Sequence, residues 1–319
     1  MTPATEPTNR PSWQPAAWVA AVAAVLAGMY APVIGVYWER WLGEDAYHHC
    51  LFVPVVVGWL IWRKRDRLRA MQPRPARAGL VLLGAGLLMY IIAMRIGLRV
   101  AVGFSFPVVI LGLVWAALGM RHIRALAYSL SLLVFLIPVP RHLLGHVGMP
   151  MQVMSATGAA RVASLGGLPV VHDGITLSLN GHSYVVAEAC SGLNSLMALL
   201  FAAAVLVEIM DVAAIGRLVL LAAPVIVLAA NTVRLTSVLL FAEFAGPGFA
   251  MDSLVHGGSD IILYLAGLGL MWALIDLVSE RRLLTIIFGD HAVVASEPPS
   301  RCTGCGTEDT PTRLQGAGE

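Results

Sequence analysis

Residues 218–242 read LVLLAAPVIVLAANTVRLTSVLLFA, an apolar stretch in which Arg234 is the single charged residue. A helix crosses the hydrocarbon layer of a bilayer with about 20 mostly apolar residues, and this stretch is long enough. An arginine is expensive to bury at that depth, so such residues are usually paired or functional. The stretch therefore predicts a membrane-spanning helix that carries one arginine of functional interest.

The whole chain has the composition of a membrane protein. Of its 319 residues, 58% are hydrophobic and only 13% are charged, and the mean hydropathy is +0.78. A soluble domain of this length cannot hide so much apolar surface. The net charge of +2 gives no reason to expect a nucleic acid as partner. The bilayer is therefore expected to be the solvent for most of the chain, with membrane lipids as its immediate partners.

The apolar stretches predict an all-α membrane protein, a polytopic bundle of about eight transmembrane helices. The predicted spans are Ala17–Tyr37, Ala46–Trp62, Ala78–Met94, Val100–Met120, Ile123–Pro138, Cys190–Val207, Leu218–Ala242 and Ser259–Val278. The first follows a Pro- and Thr-rich leader without a convincing small-residue cleavage site, so we expect it to stay as an anchor. The organisation is then a flexible leader (1–16), a multi-pass membrane domain (17–282) and a disordered tail (283–319).

The region between the fifth and sixth predicted spans is the one long segment that does not cross the membrane. Within it, Met149–Leu165 has the pattern of an interfacial helix. The following run, Ile175 to Val186, alternates partly and is interrupted by Asn180-Gly181, the strongest short signal for a hairpin turn. We therefore predict a small β-hairpin on the membrane surface.

Basic residues indicate the orientation, because cytoplasmic loops carry the excess of lysine and arginine. The loop between the second and third predicted spans contains Arg63, Lys64, Arg65, Arg67, Arg69, Arg74 and Arg77. With this loop inside and eight spans, both termini are cytoplasmic and the hairpin lies outside. The chain is thus predicted to be a multi-pass protein of the cell membrane.

Three chemically active side chains come from separate segments to the predicted outer face. Cys190 begins the sixth span, Arg234 lies toward the outer end of the seventh, and His256 just precedes the eighth. The positive end of a helix dipole and a nearby guanidinium both favour a thiolate. The pattern suggests Cys190 as nucleophile, His256 as general base and then acid, and Arg234 as the group that binds the oxyanion. Backbone N–H groups near Ser191 and Gly192 could complete an oxyanion hole.

Each of these residues also has a simpler interpretation. A lone cysteine in an apolar helix is commonly a small core residue, and His256 by itself would be an ordinary loop histidine. The catalytic hypothesis depends on the coincidence of all three residues. The alternative is a non-enzymatic transporter or assembly factor that uses Arg234 to bind an anionic lipid or solute, although neither repeats nor broken mid-membrane helices are evident.

Several neighbouring residues are weaker candidates. Asn231, one helical turn before Arg234, could hold its guanidinium by hydrogen bonding. Glu188 could orient His256 or Arg234, but a carboxylate beside a thiol also disfavours the thiolate, so it receives no firm role. His49 could support the site or a substrate pocket, whereas Cys50 is interpreted as a packing residue.

A metal centre is not expected. His48, His49, Asp45 and His256 lie on one predicted side but lack tight ligand spacing, and Cys302 with Cys305 forms only half of a zinc-type motif. We therefore predict neither a metal nor another cofactor, and no function for the cysteine pair of the tail.

The segments Glu188-Ala-Cys-Ser-Gly192, Asn231-Thr-Val-Arg234 and His256-Gly257 resemble the exosortase/archaeosortase family in their order, spacing and membrane context. Asp45–Pro54 looks like the first outer loop of that family, and Ile137–Pro140 looks like the close of its fifth span. The resemblance covers roughly Trp38 to Val278. Cys50 stands where the family commonly has glycine, and His48 doubles the histidine, so the resemblance leaves the exact sorting motif open.

This resemblance implies a membrane-embedded cysteine transpeptidase or protease. Its substrates would be exported proteins whose C-terminal signal joins a short motif, Pro-Glu-Pro-like in the bacterial branch, to a transmembrane helix and a basic cluster. The enzyme would cleave near the outer membrane face and pass the acyl product to a cell-envelope acceptor. The catalytic cysteine, arginine and histidine of the family correspond to Cys190, Arg234 and His256.

Overall fold

The computed structural model describes residues 14–139, 141–186, 191–246 and 253–279. Within them, ten α-helices are α1 (Gln14–Gly43), α2 (Val53–Arg63), α3 (Arg65–Arg69), α4 (Arg77–Arg95), α5 (Arg99–Leu118), α6 (Met120–Ser131), α7 (Arg141–Leu165), α8 (Leu193–Ile209), α9 (Ala223–Ala245) and α10 (Ser253–Ser279). Three 3₁₀ helices cover Asp45–Leu51, Leu132–Leu136 and Ile215–Ala222. The strands are β1 (Val170–Asp173), β2 (Thr176–Leu179) and β3 (His182–Val185).

Among these described residues, five helices are long and apolar enough to cross a membrane. They cover Ala20–Gly43, Arg77–Arg95, Arg99–Leu118, Ile215–Ala245 and Ile261–Ser279, and α8 is a shorter apolar helix. The mainly helical architecture is confirmed, and each of the eight predicted spans coincides with helical structure. The total of eight crossings stays a prediction. Residues 1–13 and 280–319, which include most of the predicted leader and all of the predicted tail, lie outside the described residues.

Three predicted spans join a 3₁₀ helix to an α-helix, and in the seventh the 3₁₀ helix Ile215–Ala222 leads directly into α9. In the second, a 3₁₀ helix precedes α2, which begins at Val53 with a proline in its first turn, a position that proline favours. In the fifth, α6 gives way to a 3₁₀ helix, and Ile137 then becomes extended (φ −92°, ψ 114°). The next residue is Pro138, whose ring disfavours a helical conformation in the residue before it.

Helices α4 and α5 pack with their backbones in close contact. Gly79, Gly86 and Gly112 are buried between them, and a β-carbon at Gly79 would overlap the backbone nitrogen of Ala116. Small residues allow this close approach, which favours helix association inside a bilayer. The glycines therefore define the α4–α5 contact.

We expect Gly79→Ala to destabilise the protein because the two backbones must separate to admit the methyl group. The cost of such overpacking is about 1–3 kcal/mol, which a thermal unfolding curve in detergent resolves. Gly84→Ala is the matched control on the same helix, since a β-carbon there meets nothing within 4 Å. Equal melting temperatures for the two variants would contradict the proposed contact.

The sheet is antiparallel with the order β1-β2-β3. The predicted hairpin is confirmed: β2 and β3 pair with Leu179 opposite His182. Asn180 and Gly181 both have positive φ values (49° and 81°), as a type I′ turn requires. The sequence did not predict β1, which pairs with β2 across a turn that includes Gly174 (φ 58°). Its residues are mostly exposed, so it lacks the apolar alternation that marks a half-buried strand.

The sheet packs on α7 and α9 through an apolar cluster. The buried side chains from the sheet and its end are Leu177, Leu179 and Val186; those from α7 are Ala156, Ala159, Ala160 and Ala163; those from α9 are Leu235, Leu239 and Ala242. The predicted surface helix therefore exists, but it begins at Arg141 rather than Met149 and packs along α9. Its depth in the membrane stays a prediction. Through this cluster, α7 joins the sheet to the helix that carries Arg234.

A group of polar contacts lies at the C-terminal end of α8, around Glu208. Lys64, the single lysine of the chain, forms an ion pair with Glu208, and its Nζ also donates to Ala125 O (2.7 Å) and Ser129 Oγ (3.1 Å). The Ser129 hydroxyl donates to Glu208 Oε1 at 2.7 Å. The Glu208 side chain is only 6% exposed. The lysine that the sequence assigned to a topogenic loop thus also connects α6 and α8.

We expect Lys64→Met to destabilise the protein, because it leaves the buried Glu208 carboxylate without its cation. The loss should be on the order of 2 kcal/mol, below that of a fully enclosed pair, since Lys64 keeps partial contact with solvent. The double variant Lys64→Met/Glu208→Gln should recover much of this loss in detergent melting curves. If the two single changes simply add in the double variant, the ion pair does not stabilise the fold.

Candidate active site

The residues assigned to the site from the sequence lie on three helices and their flanks. Arg234 and Asn231 lie on α9, Ser191 and Gly192 precede α8, and His256 lies on α10. Cys190 and Glu188 lie outside the described residues, as does the side chain of His256. The geometry that follows is therefore that of the described residues around these positions.

Arg234 is buried within the helical bundle. Only 6% of the residue is exposed, although it lies midway along a helix in which most neighbours are apolar. A small cavity of about 30 Å³ lies against it, bordered by Gly192, Ser195, Asn231 and Tyr264 among others. Three helices contribute to the walls: the beginning of α8, the middle of α9, and α10 between Leu263 and Gly267. The cavity thus lies between Arg234, the start of α8 and one face of α10.

The two residues that follow Cys190 are held against α9. Ser191 is 1% exposed, and its Oγ accepts a hydrogen bond from the backbone N–H of Leu193 (3.2 Å). Gly192 has φ +78°, and a β-carbon there would lie 3.1 Å from Val227 Cγ1 and 3.5 Å from Asn231 Cβ. Glycine is required both by the positive φ and by this close approach. Gly192, two residues after Cys190, therefore packs against the helix turn that precedes Arg234.

The α-helix of the sixth predicted span begins three residues after the approximate start given by the sequence. α8 begins at Leu193 with Gly192 as its N-cap, whereas Cys190 lies outside the described residues. The left-handed conformation of Gly192 interrupts the helix at this point. The N–H groups of the first turn still provide the positive end of the helix dipole, directed toward the residues before the helix.

Asn231 has a partner that the sequence did not suggest. Its Nδ2 donates to Ser155 Oγ of α7 at 3.0 Å, and both residues are buried. The sequence predicted a hydrogen bond from Asn231 to the guanidinium of Arg234. The structure adds a hydrogen bond from Asn231 to Ser155 on a different helix. Ser155 was not recognised as a candidate because it lies in a helix expected to rest on the membrane surface.

His49 and Cys50 lie beside α8 but farther along it. The ring of His49 contacts that of Phe201 with centroids 6.2 Å apart, and its Nε2 lies 3.8 Å from Cys50 Sγ. Cys50 is fully buried and its thiol donates to the carbonyl of Phe135 at 3.1 Å. Cys50 is therefore a packed core thiol. His49 lies near the third turn of α8 and does not border the cavity at Arg234.

A comparison with family models matches residues 38–273 to the transmembrane exosortase family (Exosortase_EpsH). The chain belongs to this family. The match confirms the resemblance carried by the motifs around Cys190, Arg234 and His256, all of which lie within it. Comparisons with curated proteins and with solved structures found no match. With several apolar helices of spanning length, this exosortase is a multi-pass membrane protein.

The exosortase structure adds Tyr264 and Ser195 to the residues around Arg234. Neither was predicted, because a tyrosine and a serine in apolar helices carry no distinctive sequence signal. Periodicity offers one clue in retrospect: Tyr264 follows His256 by eight residues, a spacing that returns to the same face of a helix. In the described part of the exosortase chain, no group of three or more His, Cys, Asp or Glu side chains could hold a metal ion.

Proposed function

We propose that this exosortase is a membrane-embedded cysteine transpeptidase or protease. Its substrates are exported proteins with a C-terminal sorting signal, cleaved near the outer membrane face and transferred to a cell-envelope acceptor. The observation that carries the proposal is that the buried Arg234 lies in the wall of the same cavity as Gly192, which follows Cys190 by two residues in the sequence. Membership of the exosortase family supports the reaction class.

The chemistry of Cys190 follows from these surroundings. A cation and the N-terminus of a helix both stabilise a thiolate, and the thiolate is the nucleophilic form. The first turn of α8 begins at Leu193, and Arg234 lies in the wall of the same cavity as Gly192. Both groups also suit the negative charge that develops on a carbonyl oxygen during acyl transfer. The same pair thus supports activation of the thiol and stabilisation of the oxyanion.

His256 completes the proposed reaction as general base and acid. Positions 263, 264 and 267 of α10 border the cavity, and position 256 is related to them by seven, eight and eleven residues. Residues at these spacings lie on one side of an α-helix. Position 256 is therefore on the same side of α10 as the residues that border the cavity, about two turns before them. This placement favours a histidine that acts together with Cys190.

The reaction then proceeds in two steps. His256 takes the proton of Cys190, the thiolate attacks the scissile carbonyl, and collapse of the tetrahedral intermediate breaks the C–N bond. The leaving amine takes the proton from His256, and a thioester remains on Cys190. An acceptor amine or hydroxyl next attacks the thioester, and its proton passes through His256 to the sulfur. Water in place of the acceptor gives hydrolysis.

The cavity beside Arg234 is compatible with a substrate that enters from the side. At about 30 Å³ it holds on the order of one water molecule, which is room for a reacting atom. A substrate anchored by its own transmembrane helix would bring its cleavage motif to the membrane level of Arg234 from the side. The rest of the substrate would not need to enter the bundle.

The experiment that tests this function uses a reporter with a C-terminal Pro-Glu-Pro-like motif, a transmembrane helix and a basic cluster. We expect co-expression with the exosortase to shorten the reporter at one position, identified by mass spectrometry of the new C-terminus. A reporter with a scrambled motif but the same helix and charges is the control and should stay intact. Equal cleavage of both reporters, or none of either at verified expression, would contradict the proposal.

A further inference from the structure

Helix α7 carries two polar side chains that are buried deeply. Gln152 is 4% exposed and Ser155 is 0% exposed, and their spacing of three residues puts them on the same face of the helix. Farther along, the buried face of α7 consists of Ala156, Ala159, Ala160 and Ala163, which pack against the sheet and α9. The contact of α7 with the sheet and α9 is therefore mostly apolar, and Gln152 and Ser155 form a polar site within it.

Gln152 contacts the chain just before the proposed nucleophile. Its Nε2 donates to the carbonyl of Val186 over 3.4 Å, and the N–H of Val186 donates to Ile175 O at 2.9 Å. Val186 is itself buried (5% exposed) and ends the described chain after β3. Cys190 follows it by four residues. Helix α7 thus holds Val186, the last described residue before Cys190.

Ser155 contacts the helix turn just before Arg234. Its hydroxyl accepts the hydrogen bond from Asn231, three residues before the arginine. The other flank of Cys190 meets the same two helices: Gly192 packs against Asn231, and a β-carbon at Gly148 of α7 would lie 3.9 Å from Ser191 Oγ. One face of α7 therefore touches both flanks of the segment that contains Cys190 and the turn that contains Arg234.

We propose that Gln152 and Ser155 are positioning residues that hold the two described flanks of Cys190, at Val186 and at Gly192, against the helix that carries Arg234. This inference rests on the proposed function. Neither side chain acts on the substrate; each fixes the backbone or amide of a neighbour. A displacement of about 1 Å at a reacting centre can reduce a rate on the order of 100-fold, so hydrogen bonds of modest energy have large kinetic effects here.

The test compares Ser155→Ala and Gln152→Met, which remove the hydrogen bonds with little change of volume. We expect kcat for reporter cleavage to fall about 10- to 100-fold in each, with KM within twofold of the unaltered enzyme. Thr157→Val is the matched control on α7: its hydroxyl bonds to Val153 O (2.8 Å) and His172 Nε2 (3.2 Å), outside this pair. It should keep kcat within twofold.

A second measurement does not depend on cleavage. In a chain with Cys50, Cys302 and Cys305 replaced by alanine, the rate of alkylation of Cys190 is followed against pH. Ser155→Ala or Gln152→Met should move the pH midpoint of alkylation upward by about half a unit or more, because the residues on either side of the thiolate are then less firmly held relative to Arg234. Thr157→Val should leave the midpoint unchanged.

The outcomes separate this inference from the function on which it rests. Unchanged kcat and alkylation midpoints in both variants would overturn the positioning role while cleavage by the unaltered enzyme leaves the function standing. A loss of kcat that Thr157→Val shares, with unchanged midpoints, would also overturn it, as that is the signature of general destabilisation. If Cys190 proves dispensable for cleavage, the proposed function fails, and the alkylation midpoints still decide whether α7 positions the thiol.

Discussion

Cys190→Ala is expected to abolish processing of a reporter with a C-terminal sorting signal, with a loss of at least about 1000-fold at matched membrane levels. Alanine keeps nearly the same volume but removes the sulfur that accepts the acyl group, so no covalent intermediate can form. Cys190→Ser should be almost as inactive, because a hydroxyl is a far weaker nucleophile near neutral pH. The measurement is the fraction of reporter shortened over time in membranes.

The control for this prediction is Cys50→Ala. Cys50 is fully buried and donates to the Phe135 carbonyl, so its loss should cost some stability but leave processing intact. Undiminished processing by Cys190→Ala would end the cysteine-nucleophile hypothesis. It would favour the alternative in which Arg234 binds an anionic lipid or solute without catalysis.

Arg234→Lys is expected to reduce the cleavage rate about 100- to 1000-fold, the range found when one oxyanion-binding donor is removed from an acyl-transfer site. Lysine keeps the positive charge but has a single ammonium group in place of the planar guanidinium fork. The site has no room for compensation, since Arg234 is 6% exposed and the cavity beside it is about 30 Å³. The loss should appear mainly in kcat, because the oxyanion is absent from the bound substrate and develops on the way to the tetrahedral intermediate.

The matched control is Arg95→Lys, which exchanges an exposed arginine at the end of α4. It should process the reporter at the normal rate. Melting temperatures of both variants in detergent establish that the comparison is between folded proteins. Normal kcat in Arg234→Lys would show that charge alone suffices there and would contradict the requirement for the guanidinium fork.

Local sequence signals predicted the elements of the fold well. Stretches such as Leu218–Ala242 fall inside continuous helical structure, and Asn180-Gly181 forms the hairpin turn, because hydrophobic length and turn chemistry are properties of adjacent residues. The errors occur where such signals are weak. β1 was missed because it is short and mostly exposed, and α8 begins three residues after its approximate predicted start because Gly192 adopts a left-handed conformation within an apolar run.

The contacts between elements could not be predicted in the same way. Ser155 and Asn231 are 76 residues apart in the sequence, and Gln152 and Val186 are 34 apart. Lys64 and Glu208 are 144 apart. Polar side chains in apolar helices have no periodicity that reveals their partners. The family motif gave Cys190, Arg234 and His256, whereas the structure was needed for the residues that surround them.

The central claim is that Cys190 carries the acyl group of the cleaved protein. The most direct test is to quench the reaction with acid during turnover of the reporter, digest the exosortase and analyse the peptide that contains Cys190 by mass spectrometry. The account predicts a substrate-derived thioester on this peptide that neutral hydroxylamine removes. Rapid cleavage with Cys190 always unmodified, or an adduct on Cys50 instead, would contradict it.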